Sequence, residues 1–211
     1  MLKMVDLTRR MTRRTLQFPR DQPGLTVALV DVGNADVRLT HVTHRDLHLG
    51  THMDAPLHFV PGAADIASLP LALYPAIVVR TRERTIPPSA LPASSLRGCA
   101  VLVDTGWPFD AESPRYFAAF PHLSPETARD LVARGAAVVG IDTPSADPVD
   151  ASLECPAHRI LLGAGIPIVE GLAHLDRLPN EAVGFWFGAF PLYLDGADGS
   201  PVRAVAFLPE R

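Results

Sequence analysis

Residues 46–58 read Asp46-Leu47-His48-Leu49-Gly50-Thr51-His52-Met53-Asp54-Ala55-Pro56-Leu57-His58. Most polar groups of this stretch occupy even positions and most apolar side chains occupy odd positions, which is the period of a β-strand with one polar face. A solvated strand face usually carries Lys, Glu, Thr and Ser, whereas this face carries imidazoles and carboxylates. Such side chains bind metal ions or transfer protons, so the stretch predicts a strand that supports a functional site.

The spacing of two histidines requires this strand to bend. Along a regular strand His48 and His52 would lie about 13 Å apart, which is too far for both rings to reach one ion. Gly50 lies between them and permits a bulge or a positive φ, so a kink there would direct both rings to one point. Asp54 and His58 are expected to follow into a loop at the end of the strand, where a rigid scaffold commonly presents functional groups.

Length and charge set the class of the protein. The chain has 211 residues, of which 47% are hydrophobic, and this is enough for one domain spanning residues 1–211 with a substantial core. The formal net charge of −4 argues against a nucleic-acid-binding protein, because tracking phosphates requires a strongly positive face. The arginines of residues 9–14 form the one local basic cluster.

Cysteine content and hydropathy bear on the compartment. Only Cys99 and Cys155 are present, which is too few for a disulfide-stapled fold and fits reduced thiols in the cytoplasm. No apolar run reaches the roughly 18 to 20 residues of a membrane span, and the first residues lack the continuous apolar stretch of a secretory signal. We therefore expect a cytoplasmic protein without a membrane segment.

Short aliphatic and β-branched runs alternate with fewer helical signals. Seven strands are predicted at residues 25–30, 37–42, 76–79, 100–103, 136–141, 166–169 and 202–207. One helix is predicted to begin after Ser124, which can cap it, and to end at Gly135. A second is predicted from Pro156 to Gly163 or Gly165. The pattern indicates an α/β fold with one core.

The motif His-x-Gly-Thr-His-x-Asp-x-Pro-x-His of residues 48–58 resembles that of the cyclase-like metal-dependent hydrolases, a family that includes bacterial kynurenine formamidases. Further matches extend the resemblance over nearly the whole chain, at residues 104–107, 140–145, 157–158, 168–172 and 198–204. The resemblance implies a mixed β-sheet curled into a barrel-like core with flanking helices, of the swivelling β/β/α type. It also implies a homodimer or homotetramer.

The resemblance also implies which residues form the site. The divalent metal ligands would be His48, His52, Asp54, His158 and Glu170. Asp54 would touch both of two zinc ions per subunit, and His58 would act in proton transfer. Ligation by imidazole and carboxylate suits Zn²⁺ and tolerates Mn²⁺, so manganese is also possible.

The activity implied is hydrolysis of a cyclic or aryl amide, foremost of N-formyl-L-kynurenine to L-kynurenine and formate, a reaction of tryptophan catabolism. Two ions would lower the pKa of water and present hydroxide to a carbonyl carbon, and His58 would supply the proton that the departing nitrogen needs. Three alternatives stay open. They are hydrolysis of another ring such as isatin, a lactone or a lactam; a metal-dependent isomerase or lyase; and a relative that binds metal without turnover.

Aromatic residues offer candidate walls for a small-molecule substrate. Phe18 and Trp107 are named as substrate-binding candidates and Phe59 as a further wall, although aromatic side chains most often simply pack. Asp142 is expected either to orient a metal ligand or to cap a turn. Cys155 is expected to pack rather than to act as a nucleophile. The basic arm at residues 7–17 could cross a subunit boundary or be solvated.

Overall fold

The computed structural model describes residues 2–17, 24–33, 36–44, 46–108, 111–149, 154–179 and 184–209. The strands are β1 (Leu2–Asp6), β2 (Leu25–Val30), β3 (Leu39–His44), β4 (His52–Asp54), β5 (Tyr74–Arg80), β6 (Thr85–Ile86), β7 (Ala100–Asp104), β8 (His122–Leu123), β9 (Val138–Ile141), β10 (Ile168–Glu170), β11 (Phe185–Pro191) and β12 (Gly199–Pro209). The helices are α1 (Pro125–Ala133) and α2 (Pro156–Gly163). Short 3₁₀ turns occur at Pro56–His58, Ile66–Ser68, Pro88–Ala90, Pro114–Phe117 and Leu175–Arg177.

Seven strands form a closed barrel in the order β12-β11-β5-β7-β9-β10-β4, and β4 pairs back with β12. The long strand β12 closes the ring, because its first residues pair with β4 and its later residues pair with β11. Strand β1 pairs antiparallel with the last five residues of β12, from Val205 to Pro209. The sheet is mixed, with parallel pairing from β5 through β10 and antiparallel pairing elsewhere. The predicted barrel-like α/β fold is confirmed.

The barrel wall is apolar on both faces. Along β5, Ala76 and Val78 belong to the cluster inside the barrel, whereas Ile77 and Val79 belong to the cluster beneath the two helices. Leu131 of α1 and Leu161 of α2 complete that outer cluster. A strand buried on both sides reads as a continuous apolar run, which explains why the central parallel strands were predictable from sequence.

Several element boundaries differ from the predictions. Strand β3, which pairs with β2 to form a hairpin, is Leu39–His44 rather than residues 37–42. Strand β9 begins at Val138 rather than at residue 136. Strands β1 and β11 were not predicted. The expected start of α1 is confirmed, since the Ser124 hydroxyl accepts a hydrogen bond from the Thr127 amide at 3.1 Å.

Part of the basic arm at residues 7–17 packs along the protein's own surface, while Arg10, Arg13 and Arg14 are exposed. Leu7 and Thr15 are buried, and the Arg9 guanidinium donates to the carbonyls of Gly171, Leu172 and Asp142. The arm therefore braces the segment that follows β10. None of the helices in the described ranges has the length and hydropathy needed to cross a bilayer.

Candidate metal centre

The site is built on β4 and β10, the two three-residue strands of the barrel ring. His52 lies opposite Glu170 of β10, and Asp54 lies opposite Gly199 of β12. Residues i and i+2 of a strand share a face, so His52 and Asp54 point the same way. Directly opposed residues of antiparallel strands have Cβ atoms about 5 Å apart, which brings Glu170 to that face as well.

The bend at Gly50 brings in the first histidine. Gly50 has φ +69°, and the rings of His48 and His52 lie 5.2 Å apart, so the inferred kink is present. The strand is shorter than the bent strand that was expected, since only His52–Asp54 is strand, and Asp54 lies within it rather than in the loop that follows. A 3₁₀ turn at Pro56–His58 then carries His58 back over His48, and these two rings stack at 4.1 Å.

The first turn of α2 supplies the fourth imidazole. The backbone amides of Ala157 and His158 donate to the two oxygens of Asp147, each at 2.9 Å, so this carboxylate caps the helix. The same Asp147 accepts a hydrogen bond from His158 Nδ1 at 2.7 Å. One buried carboxylate thus fixes the start of the helix and the orientation of the ring that the helix presents.

Two groups of possible ligands share one carboxylate. One group is His48, His52 and Asp54, and the other is Asp54, His158 and Glu170. His52 Nε2 lies 3.4 Å from Asp54 Oδ1, and His158 Nε2 lies 3.4 Å from Asp54 Oδ2 and 3.1 Å from Glu170 Oε1. Ligands at about 2.0–2.1 Å from a tetrahedral Zn²⁺ lie about 3.3 Å from each other, so these separations fit ligands that share an ion.

A buried oxygen of Asp54 also indicates that these residues fit a bound cation. Asp54 is fully buried, and its Oδ2 has no hydrogen-bond partner within the described part of the chain. A buried carboxylate oxygen without a donor is costly, and a cation is the usual compensation. The donor set of imidazoles and carboxylates suits a divalent ion. The residues therefore fit the metal centre that the sequence predicts.

Hydrogen bonds on the outer nitrogens identify which ring nitrogen is available as a ligand. His52 Nδ1 donates to the carbonyl of Gly50 at 3.1 Å, which leaves Nε2 facing Asp54 and Glu170. His158 has the same arrangement, with Nδ1 held outward and Nε2 facing the carboxylates. Metal-binding histidines commonly use their second nitrogen in this way, which fixes the tautomer.

Asp198 provides the corresponding partner for the other two imidazoles. Its Oδ2 lies 2.9 Å from His58 Nδ1 and 3.1 Å from His48 Nε2. His48 Nδ1 lies on the inner side, 2.8 Å from Asp54 Oδ1. His58 Nε2 is therefore the nitrogen of that ring that Asp198 does not engage.

The protonation states follow from burial and from these partners. Burial disfavours the charged form of His48, but hydrogen bonds to Asp198 and Asp54 outweigh it and raise its pKa to about 10. Burial lowers the pKa of His58, against the attraction of Asp54. The pKa of Asp54 stays well below its usual value, because His158 and His48 overcome the cost of burial. His58 is thus neutral at pH 7 and can accept a proton.

These side chains open on a cavity of about 400 Å³. Its polar side is formed by the two ligand groups and His58, and its apolar side is formed by Phe59, Pro144, Pro148 and Val149. A ligand of drug-like size fits a cavity of this volume. The structure thus combines a dense polar cluster with an apolar wall suited to a flat organic group.

The remaining sequence candidates are placed as follows. Phe18 lies outside the described residues. Trp107 is not among the described residues that line the cavity; its indole nitrogen donates to the Tyr116 carbonyl at 3.2 Å.

Asp142 accepts hydrogen bonds from the amides of Thr105 and Trp107, so it shapes this loop and contacts no predicted metal ligand through its carboxylate. Cys155 lines the cavity.

Two contributing residues were not assigned roles from the sequence. Asp147 lies in an ordinary turn sequence, and nothing in it signals the contact with His158. Asp198 lies within a tail segment that carries the family resemblance, but its partners are 140 and 150 residues away in sequence. The proximity of Asp198-Gly199 to the motif arises only when β12 pairs with β4.

We expect Gly171→Ala to destabilise the protein by about 2 to 5 kcal/mol. Gly171 has φ +63°, which costs about 1–2 kcal/mol for a residue with a side chain, and a Cβ would fall on the backbone carbonyl of Gly50. Denaturant unfolding measures this loss. Gly163→Ala is the control, because a Cβ there meets nothing within 4 Å; it should leave stability unchanged or higher. Equal stabilities of the two variants would contradict the expected clash.

Metal binding should release protons. At pH 7 His48 is protonated, and the pKa of His158 is also raised because Glu170 and Asp147 outweigh the effect of burial, so each ring must lose a proton to become a ligand. Affinity for Zn²⁺ should therefore rise as pH rises toward about 10. Calorimetric titration of chelator-treated protein, in buffers of different ionisation enthalpy, measures the release. Zero proton release at pH 7 would contradict this assignment.

Known proteins match this chain in both sequence and fold. A family described as putative cyclase matches residues 5–148. The kynurenine formamidase of Geobacillus thermodenitrificans is 33% identical over 207 residues, which cover 95% of each chain. A solved potential metal-dependent hydrolase with cyclase activity superposes with a TM-score of 0.81 at 26% identity, covering all of both chains.

An isatin hydrolase bound to the product analogue thioisatinate has the same fold, with a TM-score of 0.84 at 22% identity, and covers 99% of this chain and 93% of that one. The motif, the barrel and the sequence matches agree over almost the full length. The chain therefore belongs to the cyclase-like metal-dependent hydrolase family, which includes the bacterial kynurenine formamidases.

Proposed function

We propose that the protein is a metal-dependent amidohydrolase that converts N-formyl-L-kynurenine and water to L-kynurenine and formate, a reaction of tryptophan catabolism. The observation that carries this proposal is the pair of ligand groups sharing Asp54, with His58 on the same cavity. The identity to named kynurenine formamidases across 95% of the chain supports the substrate.

We infer a centre of two Zn²⁺ ions per subunit, with Mn²⁺ as a possible substitute. His48 and His52 would hold one ion, His158 and Glu170 would hold the other, and Asp54 would contact both. Such ions supply Lewis acidity, which lowers the pKa of water and polarises a carbonyl oxygen.

His58 is the residue assigned to proton transfer. Its neutral Nε2 accepts a proton from the attacking water, whose oxygen forms a bond to the formyl carbon. The carbon–nitrogen bond then breaks, and its electron pair stays on the departing nitrogen. Protonated His58 returns the proton to that nitrogen, because an anilide anion is a poor leaving group. The apolar wall at Phe59 and Pro148 packs against the aryl ring.

A neutral cyclic amide such as isatin is the second candidate substrate. One observation favours it: the described residues that line the cavity include no lysine or arginine. An amino-acid substrate carries a carboxylate that a cation usually neutralises, whereas a neutral lactam needs no such partner.

Metal analysis followed by a substrate comparison tests the proposal. The purified protein is analysed for bound metal and then assayed with N-formyl-L-kynurenine, isatin and a simple lactone. Release of one formate per turnover from N-formyl-L-kynurenine, with lower kcat/KM for the two rings, is the expected result. A metal-loaded protein that leaves N-formyl-L-kynurenine unchanged would overturn the formamidase assignment, and preferential opening of isatin would establish the second candidate.

The chain is proposed to act in the cytoplasm as a homodimer or homotetramer of one-domain subunits. The sequence holds only two cysteines, Cys99 and Cys155, a content that suits a reducing compartment. The hairpin of β2 and β3 supports self-association, because these strands pair only with each other within the described residues. Leu29 and Val42, on one face of it, are 59% and 49% exposed, and isolated two-stranded hairpins are marginally stable in water.

The double substitution Leu29→Asp and Val42→Asp should shift the oligomer toward monomer. Both side chains lie on the same face of the hairpin, and two buried charges at an interface would be unpaired. Light scattering after size exclusion measures the mass. A wild-type protein that is monomeric at all concentrations would contradict the proposed oligomer.

A further inference from the structure

The Asp198 carboxylate lies between the metal cluster and the proton-transfer residue. A single oxygen, Oδ2, is within hydrogen-bond distance of His48 Nε2 and His58 Nδ1, and hydrogen bonds from these rings hold the pKa of Asp198 well below its usual value. The Asp198 side chain is 44% exposed, whereas Asp54, Asp147 and Glu170 of the same centre are buried. Asp198 therefore reaches the centre from the solvent side.

The backbone around Asp198 is fixed by its neighbours in the fold. Its carbonyl accepts a hydrogen bond from the Ala55 amide at 2.9 Å, and the preceding carbonyl of Ala197 accepts one from Ile66. The next residue is Gly199, where a Cβ would lie 2.8 Å from His48 Cε1. The His48 ring thus rests against the backbone at Gly199, and this close approach brings its Nε2 to Asp198.

The two hydrogen bonds to Asp198 determine which ring nitrogen of His48 and of His58 carries a proton. A carboxylate only accepts, so Asp198 requires a proton on His48 Nε2 and a proton on His58 Nδ1. His48 then offers Nδ1 toward Asp54, on the side of the predicted metal site. His58 then offers the lone pair of Nε2. Once His48 Nδ1 loses its proton, these are the tautomers in which His48 can act as a ligand and His58 can act as a base.

We propose that Asp198 is a positioning residue that sets the tautomers of His48 and His58 together. Its loss affects ion binding through His48 and proton transfer through His58, which are two separate routes. The second route rests on the hydrolase function proposed above, whereas the first does not.

A competing interpretation uses the same three residues. His48, His58 and Asp198 have donor atoms close enough to hold a cation themselves. In that case Asp198 would be a metal ligand, and its removal would lower the number of ions bound per chain. If Asp198 positions the rings, its removal weakens the affinity and leaves the number unchanged.

The experiment introduces Asp198→Asn into the wild-type protein and into His58→Ala. Zn²⁺ titration of chelator-treated protein should show 10- to 100-fold weaker binding in both backgrounds, with the same number of ions at saturation. At saturating Zn²⁺, kcat for N-formyl-L-kynurenine should fall at least tenfold in the wild-type background, with KM changed less than twofold. In His58→Ala the same substitution should lower kcat no further.

A spectroscopic readout makes the test independent of turnover. Nitrogen-15 spectra of the imidazoles, recorded without metal or substrate, should show the proton of His58 on Nδ1 in the wild type and a shift toward the Nε2 tautomer in Asp198→Asn. Asp195→Asn is the matched control, since Asp195 is exposed in the same turn and does not line the cavity; it should match the wild type.

Loss of a bound ion at saturation, an unchanged affinity, additive losses of kcat or an unchanged His58 tautomer would each overturn the proposal. Failure of the wild-type protein to turn over substrate would refute the proposed function. The affinity and tautomer measurements would still decide the role of Asp198, because neither uses a substrate.

Discussion

Replacing Asp54 with asparagine should lower the metal content of both ligand groups and reduce kcat/KM by at least about a thousand-fold. Asp54 is the one residue common to the two groups, with Oδ1 near His52 and Oδ2 near His158. Asparagine keeps one acceptor oxygen and replaces the other with an NH₂ group, which cannot be a ligand. A thousand-fold loss corresponds to about 4 kcal/mol of transition-state stabilisation, within the range expected for a metal centre.

Thermal unfolding separates loss of metal from loss of the fold. Zn²⁺ should raise the Tm of the wild-type protein, because a ligand that binds only the folded state stabilises it, and should leave the Tm of Asp54→Asn nearly unchanged. Asp176→Asn, at an exposed position outside the cavity, is the control and should retain metal and activity. Full metal content in Asp54→Asn, or activity within about tenfold of the wild type, would refute the shared-ligand assignment.

The sequence predicts the strands of the barrel and the residues of the site to different extents. The parallel strands β5, β7 and β9 were predictable because both of their faces are buried, which leaves continuous aliphatic runs. Strand β1 gave no such signal, since four of its five residues are exposed. The alternation in residues 46–58 pointed to His48, His52 and Asp54, which the structure brings together in one group. It overstated the strand, because alternation persists through the bend at Gly50, where regular pairing is absent.

Residues whose role depends on contacts between segments far apart in sequence could not be predicted from the sequence. The family resemblance named His158 and Glu170 as ligands, and the structure brings both beside Asp54. It assigned no role to Asp147 or Asp198, whose carboxylates hold the outer nitrogens of the site imidazoles. Their function depends on where α2 begins and on how β12 closes the barrel, and neither is a local property of the sequence. The aromatic prediction at Trp107 shows the same limit, because side-chain type alone does not tell which aromatic residues face a cavity.

Replacing His58 with alanine should leave the metal content unchanged and lower kcat by about a hundred- to ten-thousand-fold. The ring lines the cavity, but His48, His52 and Asp54 form one ligand group without it, so the two groups sharing Asp54 remain complete. General acid–base catalysis typically contributes 10²–10⁴-fold, which sets the expected loss. Metal analysis and steady-state kinetics of the same preparation check both parts. His122→Ala is the control, since that ring contacts the Thr85 hydroxyl away from the cavity.

The identity of the leaving group shows whether His58 donates its proton to the departing nitrogen. Formanilide expels an anilide nitrogen that must be protonated, whereas phenyl formate expels a phenolate that needs no proton. If His58 is the acid, His58→Ala should lose at least tenfold more kcat/KM with formanilide than with phenyl formate, and added imidazole should restore part of the loss with formanilide. Equal losses with the two substrates would show that His58 acts only before the carbon–nitrogen bond breaks. Loss of metal in His58→Ala, with activity restored by added metal, would instead make His58 a ligand.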